Sequence, residues 1–197
     1  MKNKTTVTTA ALIALTLIAS ADSLRAHQGK HEHEPDPMTE SLKPLKGKEF
    51  EVMFLKHMIH HHQMAVEMGE LAGKNTKRAE LNKMGKHIIS AQKAEIEQMT
   101  RWLKSWHGES VGSMSQMPGM EKMMKEVEAL KKAKDADFDK MFLDMMSEHH
   151  QGAVMMSKLV GNRTDRAELK QLANKIIKDQ NKEIEQMKGW KKTWFKN

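Results

Sequence analysis

The chain has 197 residues, a formal net charge of +7, 19 methionines and no cysteine. The absence of cysteine excludes disulfides and thiolate-ligated metal sites, so stability has to come from packing. Basic residues alternate with acidic ones instead of forming a block, which favours a solvated charged surface over a nucleic-acid interface. The methionines exceed what core filling normally requires, which points to a use for sulfur.

The amino-terminal segment has the layout of a secretory signal peptide. Lys2 and Lys4 precede an apolar run over residues 10–19 that is too short to span a bilayer. We predict residues 1–21 as the signal peptide, with cleavage after Ala26 as the alternative. No later segment is apolar enough to cross a membrane, so we expect an exported protein that has no membrane span after signal cleavage.

Residues 22–47 are polar and contain Pro35, Pro37 and Pro44, which predicts a mobile leader. Short histidine-containing tracts bind Cu(II), Ni(II) or Zn(II) with little selectivity. The leader carries three histidines, His27, His31 and His33.

The rest of the chain contains an internal duplication. Phe50–Trp106 aligns without a gap onto Phe138–Trp194, 88 residues later, with 29 of 57 positions identical. The two segments are therefore copies of one structural unit, and function should lie in what they share. Each unit is predicted to be a helical hairpin, the first at residues 48–107 and the second at residues 137–197.

The hairpins are predicted from apolar residues that recur at steps of three and four, with no strand pattern. Two hairpins with apolar faces bury those faces most simply as an all-α, antiparallel four-helix bundle. The predicted inward positions of the first helices are Phe50, Phe54, Met58, His61, Ala65 and Met68 in one copy and Phe138, Phe142, Met146, His149, Ala153 and Met156 in the other.

Threonines are predicted to open the second helix of each hairpin. Thr76 follows the end of the first helix near Gly73, and Thr164 follows the equivalent end near Gly161. In the second copy, a capping box between the residues at 165 and 168 is the alternative start. The inward positions of these helices are Leu81, Ile88, Gln92, Ile96, Met99 and Leu103, and then Leu169, Ile176, Gln180, Ile184 and Met187.

Residues 108–136 link the hairpins through a Gly-, Ser- and Pro-rich stretch and a short charged helix, predicted from about Met120 to Lys134. A crossover of this length allows the second hairpin to dock in either orientation. Met-x-x-Met arrays place sulfurs close enough for the low-coordinate sites that Cu(I) favours. The alternative is that such methionines form a hydrophobic lid. Four methionines recur at every third residue in this linker, which has little core to fill: Met114, Met117, Met120 and Met123.

The first helix of each hairpin concentrates methionine and histidine. Residues four apart lie on one face of a helix, so these side chains form continuous edges of ligands. Soft thioethers with imidazoles suit Cu(I), and the imidazoles can also hold Cu(II). The candidate ligands are Met53, His57, Met58, His60, His61, His62, Met64 and Met68 in the first copy, and Met141, Met145, Met146, His149, His150 and Met156 in the second.

Core packing is the alternative for many of these side chains. Six of the methionines lie at core spacing, where Met is an ordinary filler: Met53, Met58, Met68, Met141, Met146 and Met156. His61 and His149 fall on the inward stripe, where a satisfied buried histidine is common. The other histidines, His57, His60, His62 and His150, are expected nearer the edge of that stripe.

Two glutamines also fall on the inward stripe. Gln92 and Gln180 are each placed to hydrogen-bond a metal-holding histidine of the partner helix, or else to bond backbone.

The paired motifs resemble a known family. Phe-Leu-x-x-Met-x-x-His-His-Gln-x-Ala-Val, at Phe54–Val66 and Phe142–Val154, is similar to the motif of the domain of unknown function 305 family, which includes CopM-like periplasmic copper-binding proteins. Gln-x-x-Glu-Ile-Glu-Gln-Met-x-x-Trp, at Gln92–Trp102 and Gln180–Trp190, is similar to the second helix of that family. We therefore identify two tandem copies of the family's motif.

The resemblance implies a ferritin-like helical fold and periplasmic copper binding linked to copper resistance. It points to Met58, His61 and His62 in the first copy. In the second copy it points to the equivalent residues, Met146, His149 and His150. The copies differ at His57/Met145, His60/Glu148 and Met64/Gly152, so we expect the first copy to bind more strongly.

The function that these patterns favour is a non-enzymatic binder that sequesters copper ions or passes them to an efflux system. No nucleophile triad or phosphate-binding loop is present, and no Glu-x-x-His pair supports a di-iron oxidase. A metal-independent chaperone or adaptor bundle is the alternative, and a bundle that holds haem through Met and His is a third. The oligomeric state is left open by the sequence.

Overall fold

Two helical hairpins dominate the computed structural model, which describes residues 36–195. These residues contain no strand, and none of their helices is long and apolar enough to cross a membrane. The predicted all-α bundle is confirmed. Its helices are α1 (Pro37–Leu42), α2 (Gly47–Asn75), α3 (Ala79–His107), α4 (Met120–Lys132), α5 (Asp135–Leu159) and α6 (Ala167–Trp194).

The two hairpins are related by an approximate two-fold axis. Helix α2 packs mainly on α3, α5 packs mainly on α6, and α2 and α5 cross at the centre. Arg78 Nε donates to Asp139 Oδ2 at 3.0 Å, and the equivalent Arg166 Nε donates to Glu51 Oε2 at 2.7 Å. Each bond joins the tip of one hairpin to the first turns of the other, so α2 and α5 run antiparallel. This settles the orientation that the linker left open.

The same arginines also stack on tryptophans of the opposite hairpin. The Arg78 guanidinium lies 4.2 Å from the centroid of a Trp194 ring, and that of Arg166 lies 4.3 Å from a Trp106 ring. A guanidinium at this distance is attracted to the face of an indole. Arginine and tryptophan occupy these positions in both copies, because each copy supplies one half of each contact.

The predicted inward positions of α2 and α5 are all buried, from Phe50 to Met68 and from Phe138 to Met156. On α3 and α6 the inward positions are buried as well, except that Ile96 is only partly covered. The three-and-four spacing therefore identified the core faces of the four long helices.

The predicted helix starts at the hairpin tips are wrong by a few residues. Helices α3 and α6 begin at Ala79 and Ala167, and neither has a side-chain cap, so the capping box is not formed. Thr76 Oγ1 instead accepts a hydrogen bond from the backbone N–H of Arg78 at 3.0 Å, and Thr164 repeats this contact. Threonine closes the turn before the helix, because its hydroxyl reaches the N–H two residues on.

Part of the predicted mobile leader is packed against the bundle. The Asp36 carboxylate accepts the backbone N–H of Thr39 at 2.8 Å and caps α1, whose Pro37 occupies the first turn. Met38 and Leu42 are buried, and α1 lies against α2 and α5. The predicted signal peptide and the three leader histidines lie outside the described residues.

Helix α4 covers the same side of the bundle. It begins at Met120, as predicted, and ends at Lys132, two residues early. Val127 and Leu130 are buried, and Lys131 Nζ lies 2.8 Å from Glu67 Oε1 on α2. The short helices α1 and α4 therefore both pack against α2 and α5.

Two glycines let α2 and α3 approach closely, and this gives a testable difference. A Cβ at Gly85 would lie 2.8 Å from the carbonyl oxygen of Gly69, whereas a Cβ at Gly73 would meet nothing within 4 Å. We expect Gly85→Ala to destabilise the protein by about 1–3 kcal/mol through overpacking. Gly73→Ala, a matched control within a helix, should stabilise it by about 0.5–1 kcal/mol. Urea unfolding of both variants measures this, and equal effects would contradict the close approach.

Candidate metal centre

Four histidines meet where α2 and α5 cross. The rings of His61 and His149, equivalent residues of the two copies, lie in contact with their centroids 3.6 Å apart and their planes tilted by 32°. The centroid of His62 lies 6.5 Å from that of His61, and the centroid of His150 lies 6.2 Å from that of His149. All four are at most 5% exposed. We call these four residues the histidine cluster.

The two flanking histidines are held by carboxylates from the second helix of their own hairpin. His62 Nε2 lies 2.8 Å from Glu95 Oε2, and His150 Nε2 lies 2.7 Å from Glu183 Oε2. An ionised carboxylate can only accept, so both imidazoles donate from Nε2. Burial alone would raise the pKa of Glu95, but its contacts with His62 and Lys175 hold that pKa below its usual value.

Five of the six remaining ring nitrogens of the cluster are buried and have no hydrogen-bonding partner among residues 36–195. These orphaned, buried atoms are Nδ1 of His61, Nδ1 of His62, Nδ1 and Nε2 of His149, and Nδ1 of His150. Buried polar atoms are normally satisfied, and an unsatisfied group calls for an explanation such as a bound ion. The cluster therefore offers lone pairs in a place that packing alone does not require.

Burial also fixes the charge state of the cluster. Desolvation lowers the pKa of His61 and of His149 well below the usual 6.5, and the neighbouring imidazoles lower each further. Burial lowers the pKa of His62 as well, although its hydrogen bond to Glu95 opposes the shift. These imidazoles are neutral near pH 7, and the neutral form is the one that binds metals.

A second pair of buried histidines, His57 and His60, lies on α2, and the first of them is next to α1. Burial lowers the pKa of His57 from 6.5 to about 4, while the backbone of Met38 and the carboxylate of Asp36 act in the opposite direction. His60 Nδ1 contacts Gln63 Oε1 at 2.9 Å, and His57 Nδ1 and His60 Nε2 have no partner within residues 36–195. The sequence did not indicate that Met38 is buried with its backbone beside His57, because the segment of Met38 was predicted to be mobile.

The structure buries the histidines that we expected near the edge of the inward stripe. His57, His60, His62 and His150 are each at most 3% exposed. Helix α1 covers the first of these, and Glu95 and Glu183 cover the last two. Their distance from the stripe was predicted from one helix alone, whereas their burial comes from neighbouring helices.

The side-chain oxygens of the two glutamines make neither of the bonds that the sequence offered, to histidine or to backbone. Gln92 and Gln180 are buried, but the side-chain oxygen of each has no partner among the residues that the structure describes. Glu95 and Glu183, one turn further along, make the hydrogen bonds to histidine instead. Both glutamates are identical between the copies, which was the available signal.

The candidate methionines divide by burial. Six are buried, namely Met58, Met64, Met68, Met120, Met146 and Met156. Six are half-buried, namely Met53, Met114, Met117, Met123, Met141 and Met145. All four linker methionines pack against the core, so the linker has more core to fill than the sequence indicated. Met58 lies one turn before His61, and Met146 lies one turn before His149.

Gly152 explains one difference between the copies. A Cβ at this position would lie 3.2 Å from His61 Nε2, so the glycine gives the ring room against α5. Met64 is the equivalent residue of α2. Among residues 36–195, no three His, Asp or Glu side chains are already arranged around one ion position. The ligand groups that the region offers are therefore imidazole pairs and the methionines of the same helices.

The chain matches the sequence profile of a domain of unknown function (DUF305) over residues 19–103 and 51–191. The chain belongs to the DUF305 family. This confirms the resemblance that the two motifs carried. No protein with a curated description matches the chain in sequence.

Solved structures of DUF305 relatives share the fold. CopM in its Cu(I)-bound form is 34% identical, with a TM-score of 0.65, and the match covers 74% of this chain and 97% of CopM. CopM in its Cu(II)-bound form gives 36% identity and a TM-score of 0.67, over 73% of this chain and 97% of CopM. A DUF305 protein of Streptomyces coelicolor that is thought to be secreted is 28% identical, with a TM-score of 0.60, over 68% and 86% of the two chains.

Proposed function

We propose that this DUF305 protein is an exported, non-enzymatic copper-binding protein of the periplasm. It would hold mainly Cu(I) through Met and His side chains, and serve copper sequestration, trafficking to an efflux system or resistance. The histidine cluster, with its buried and unpartnered nitrogens, is the observation that carries this proposal. The similarity to CopM, which was solved with Cu(I) and with Cu(II), supports it.

The chemistry of the donors favours copper. Thioether sulfur is neutral and soft, which disfavours Mg²⁺, Ca²⁺ and Zn²⁺ and suits Cu(I). Burial keeps His61 and His149 neutral, so a cation does not have to displace protons from them near pH 7. Imidazole also accepts Cu(II), which allows the same residues to hold either oxidation state.

We assign two central sites, one in each copy, and further weaker positions. Met58, His61 and His62 form the first central site, and Met146, His149 and His150 form the second. The first copy adds His57, His60 and Met64 on α2, all buried, whereas Met145, Glu148 and Gly152 stand at the equivalent positions. Two imidazoles and a sulfur are thus available in the first copy alone, which favours stronger binding there. The weaker positions comprise Met53, Met68, Met141, Met145, Met156 and the four linker methionines.

An anaerobic titration with Cu(I) against a competing chromophoric chelator tests the function. We expect several tight equivalents of Cu(I) in the mature protein and weak binding of Zn(II) and Ni(II). Replacing Met114, Met117, Met120 and Met123 together by leucine should lower the number of Cu(I) equivalents. Leucine conserves the apolar volume at about 1.5 kcal/mol or less for each residue, so the fold should survive.

A matched variant separates sulfur ligands from sulfur in the core. Met84 and Met99 are buried on α3, outside the proposed sites, and leucine at both should leave Cu(I) binding unchanged. If the mature protein bound no Cu(I) in competition with the chelator, the copper function would be wrong. The methionines would then be assigned to packing, and a protein-binding role would become the better hypothesis.

A further inference from the structure

Two carboxylates behind the histidine cluster have a geometry that the copper sites alone do not explain. Glu95 and Glu183 are 33 residues from the histidines that they contact, His62 and His150. Their side chains are only 9% and 13% exposed. Burying a carboxylate is unfavourable unless it is paired, so a repeated arrangement of this kind calls for a role.

The contact determines which nitrogen of each ring is free. A carboxylate that accepts the Nε2–H of an imidazole leaves the lone pair on Nδ1. Nδ1 of His62 and Nδ1 of His150 are the buried atoms without a partner. The hydrogen bond also holds the plane of the ring, because rotation about the Cβ–Cγ bond would break it.

We propose that Glu95 and Glu183 are positioning residues that fix His62 and His150 as Nδ1 ligands. This inference rests on the proposed copper function. Each carboxylate selects one tautomer, orients the ring and makes the free nitrogen more basic, as carboxylates do behind the histidine ligands of other metal sites. Neither carboxylate would touch the ion.

The two copies hold their carboxylates differently. Lys175 Nζ, from α6, bonds Glu95 Oε1 at 2.7 Å, so both oxygens of Glu95 are engaged. The equivalent residue on α3 is His87, whose Nε2 lies 3.6 Å from Glu183 Oε1 and whose side chain is 70% exposed. Both oxygens of Glu95 are therefore held by short bonds, whereas only one oxygen of Glu183 is.

The tautomers can be measured without copper. In metal-free protein labelled with ¹⁵N-histidine, the side-chain ¹⁵N shifts should show a proton on Nε2 of His62 and of His150. Glu95→Leu and Glu183→Leu should each shift the affected ring to a mixture of tautomers. Glu183→Gln keeps an oxygen that can accept the bond and should restore the Nε2 tautomer of His150, which a purely structural role does not predict. Glu95→Gln should not restore it, because Lys175 competes for the single amide oxygen.

The same variants test the consequence for copper. We expect each leucine variant to lower the Cu(I) affinity of its site by about 10- to 100-fold, with partial rescue by Glu183→Gln in the second copy. Glu97→Leu and Glu185→Leu, at exposed positions two residues away, should have no effect. Urea unfolding of the glutamine variants checks that the fold is retained if a leucine variant is unstable.

The outcomes separate this inference from the function on which it rests. If wild-type protein bound no Cu(I), the proposed function and the positioning role would both be wrong. If wild-type protein bound Cu(I) but the leucine variants bound it equally well, or if Nδ1 carried the proton in the wild type, only the positioning role would be overturned.

Discussion

Replacing His61 and His149 together by leucine lowers the Cu(I) affinity of the central sites by more than about 100-fold and makes the metal-free protein more stable. Loss of a supporting carboxylate at a metal site typically costs 10- to 100-fold in affinity, and loss of two direct ligands exceeds this. Three nitrogens of these two rings are buried without a partner in the described part of the chain. Leucine removes these unsatisfied groups, and the expected gain is about 1–3 kcal/mol.

Opposite signs for the two effects distinguish a ligand pair from a core pair. If the two histidines served only packing, their replacement would lower the stability of the protein or leave it unchanged, and copper binding would stay intact. Urea unfolding of metal-free protein and the anaerobic Cu(I) titration measure the two effects. Lys178→Leu, at an exposed position of α6, is the control and should change neither. Unchanged Cu(I) affinity in the double variant would contradict the central site.

Lowering the pH from 7 to 4.5 strongly destabilises the metal-free protein, mainly through buried histidines. The pKa of His57 is 6.5 when unfolded and about 4 when folded. The unfolded chain therefore binds more protons below pH 6.5, and the stability that His57 contributes is present above 6.5 and lost as the pH falls towards 4. Each pKa unit corresponds to about 1.4 kcal/mol, so His57 alone accounts for about 3 kcal/mol at pH 4.

His61 and His149 act in the same direction, because their pKa values are also lowered by burial. The free energy of unfolding, measured in urea at pH 7.5, 6.0 and 5.0, should fall steadily across this window, above the pH at which ordinary carboxylates titrate. The double leucine variant at these two positions should show a shallower fall. A free energy that stays constant from pH 7.5 to 5.0 would contradict the neutral, buried state of these rings.

Much of the fold follows from sequence because the helical spacing is a local pattern, and the duplication shows that the same pattern occurs twice. Phe50, Phe54 and Met58 are buried, as three-and-four spacing requires. The orientation of the hairpins could not be derived, because it depends on contacts between distant residues, such as Arg78 with Asp139. Arginine and tryptophan are identical between the copies at these contacts, but identity alone does not show which residue contacts which.

The short helix α1 shows why prolines misled the prediction. Pro37 opens the helix instead of breaking it, because Asp36 caps the first turn. A six-residue helix is marginal by itself, and burial of Met38 and Leu42 against the bundle stabilises it. That burial is a long-range effect, which the local composition of the segment does not reveal.

The candidate site was predicted residue by residue, but its arrangement was not. His61 and His149 were placed on the inward stripes, yet the contact between their rings depends on how α2 and α5 cross. On α3, Gln92 and Glu95 lie one turn apart, and both are buried. Which of them reaches His62 depends on the rotation of α3 about its axis and on side-chain length, so the sequence offered the bond to Gln92 as one alternative and did not identify Glu95.

X-ray absorption at the copper K edge, on protein loaded anaerobically with one equivalent of Cu(I), tests the central claim most directly. We predict a first shell that contains both sulfur and imidazole nitrogen, with the imidazole contribution reduced in the double variant of His61 and His149. A first shell of nitrogen and oxygen without sulfur, or a spectrum that the double variant leaves unchanged, would contradict a copper site built from methionine and the histidine cluster.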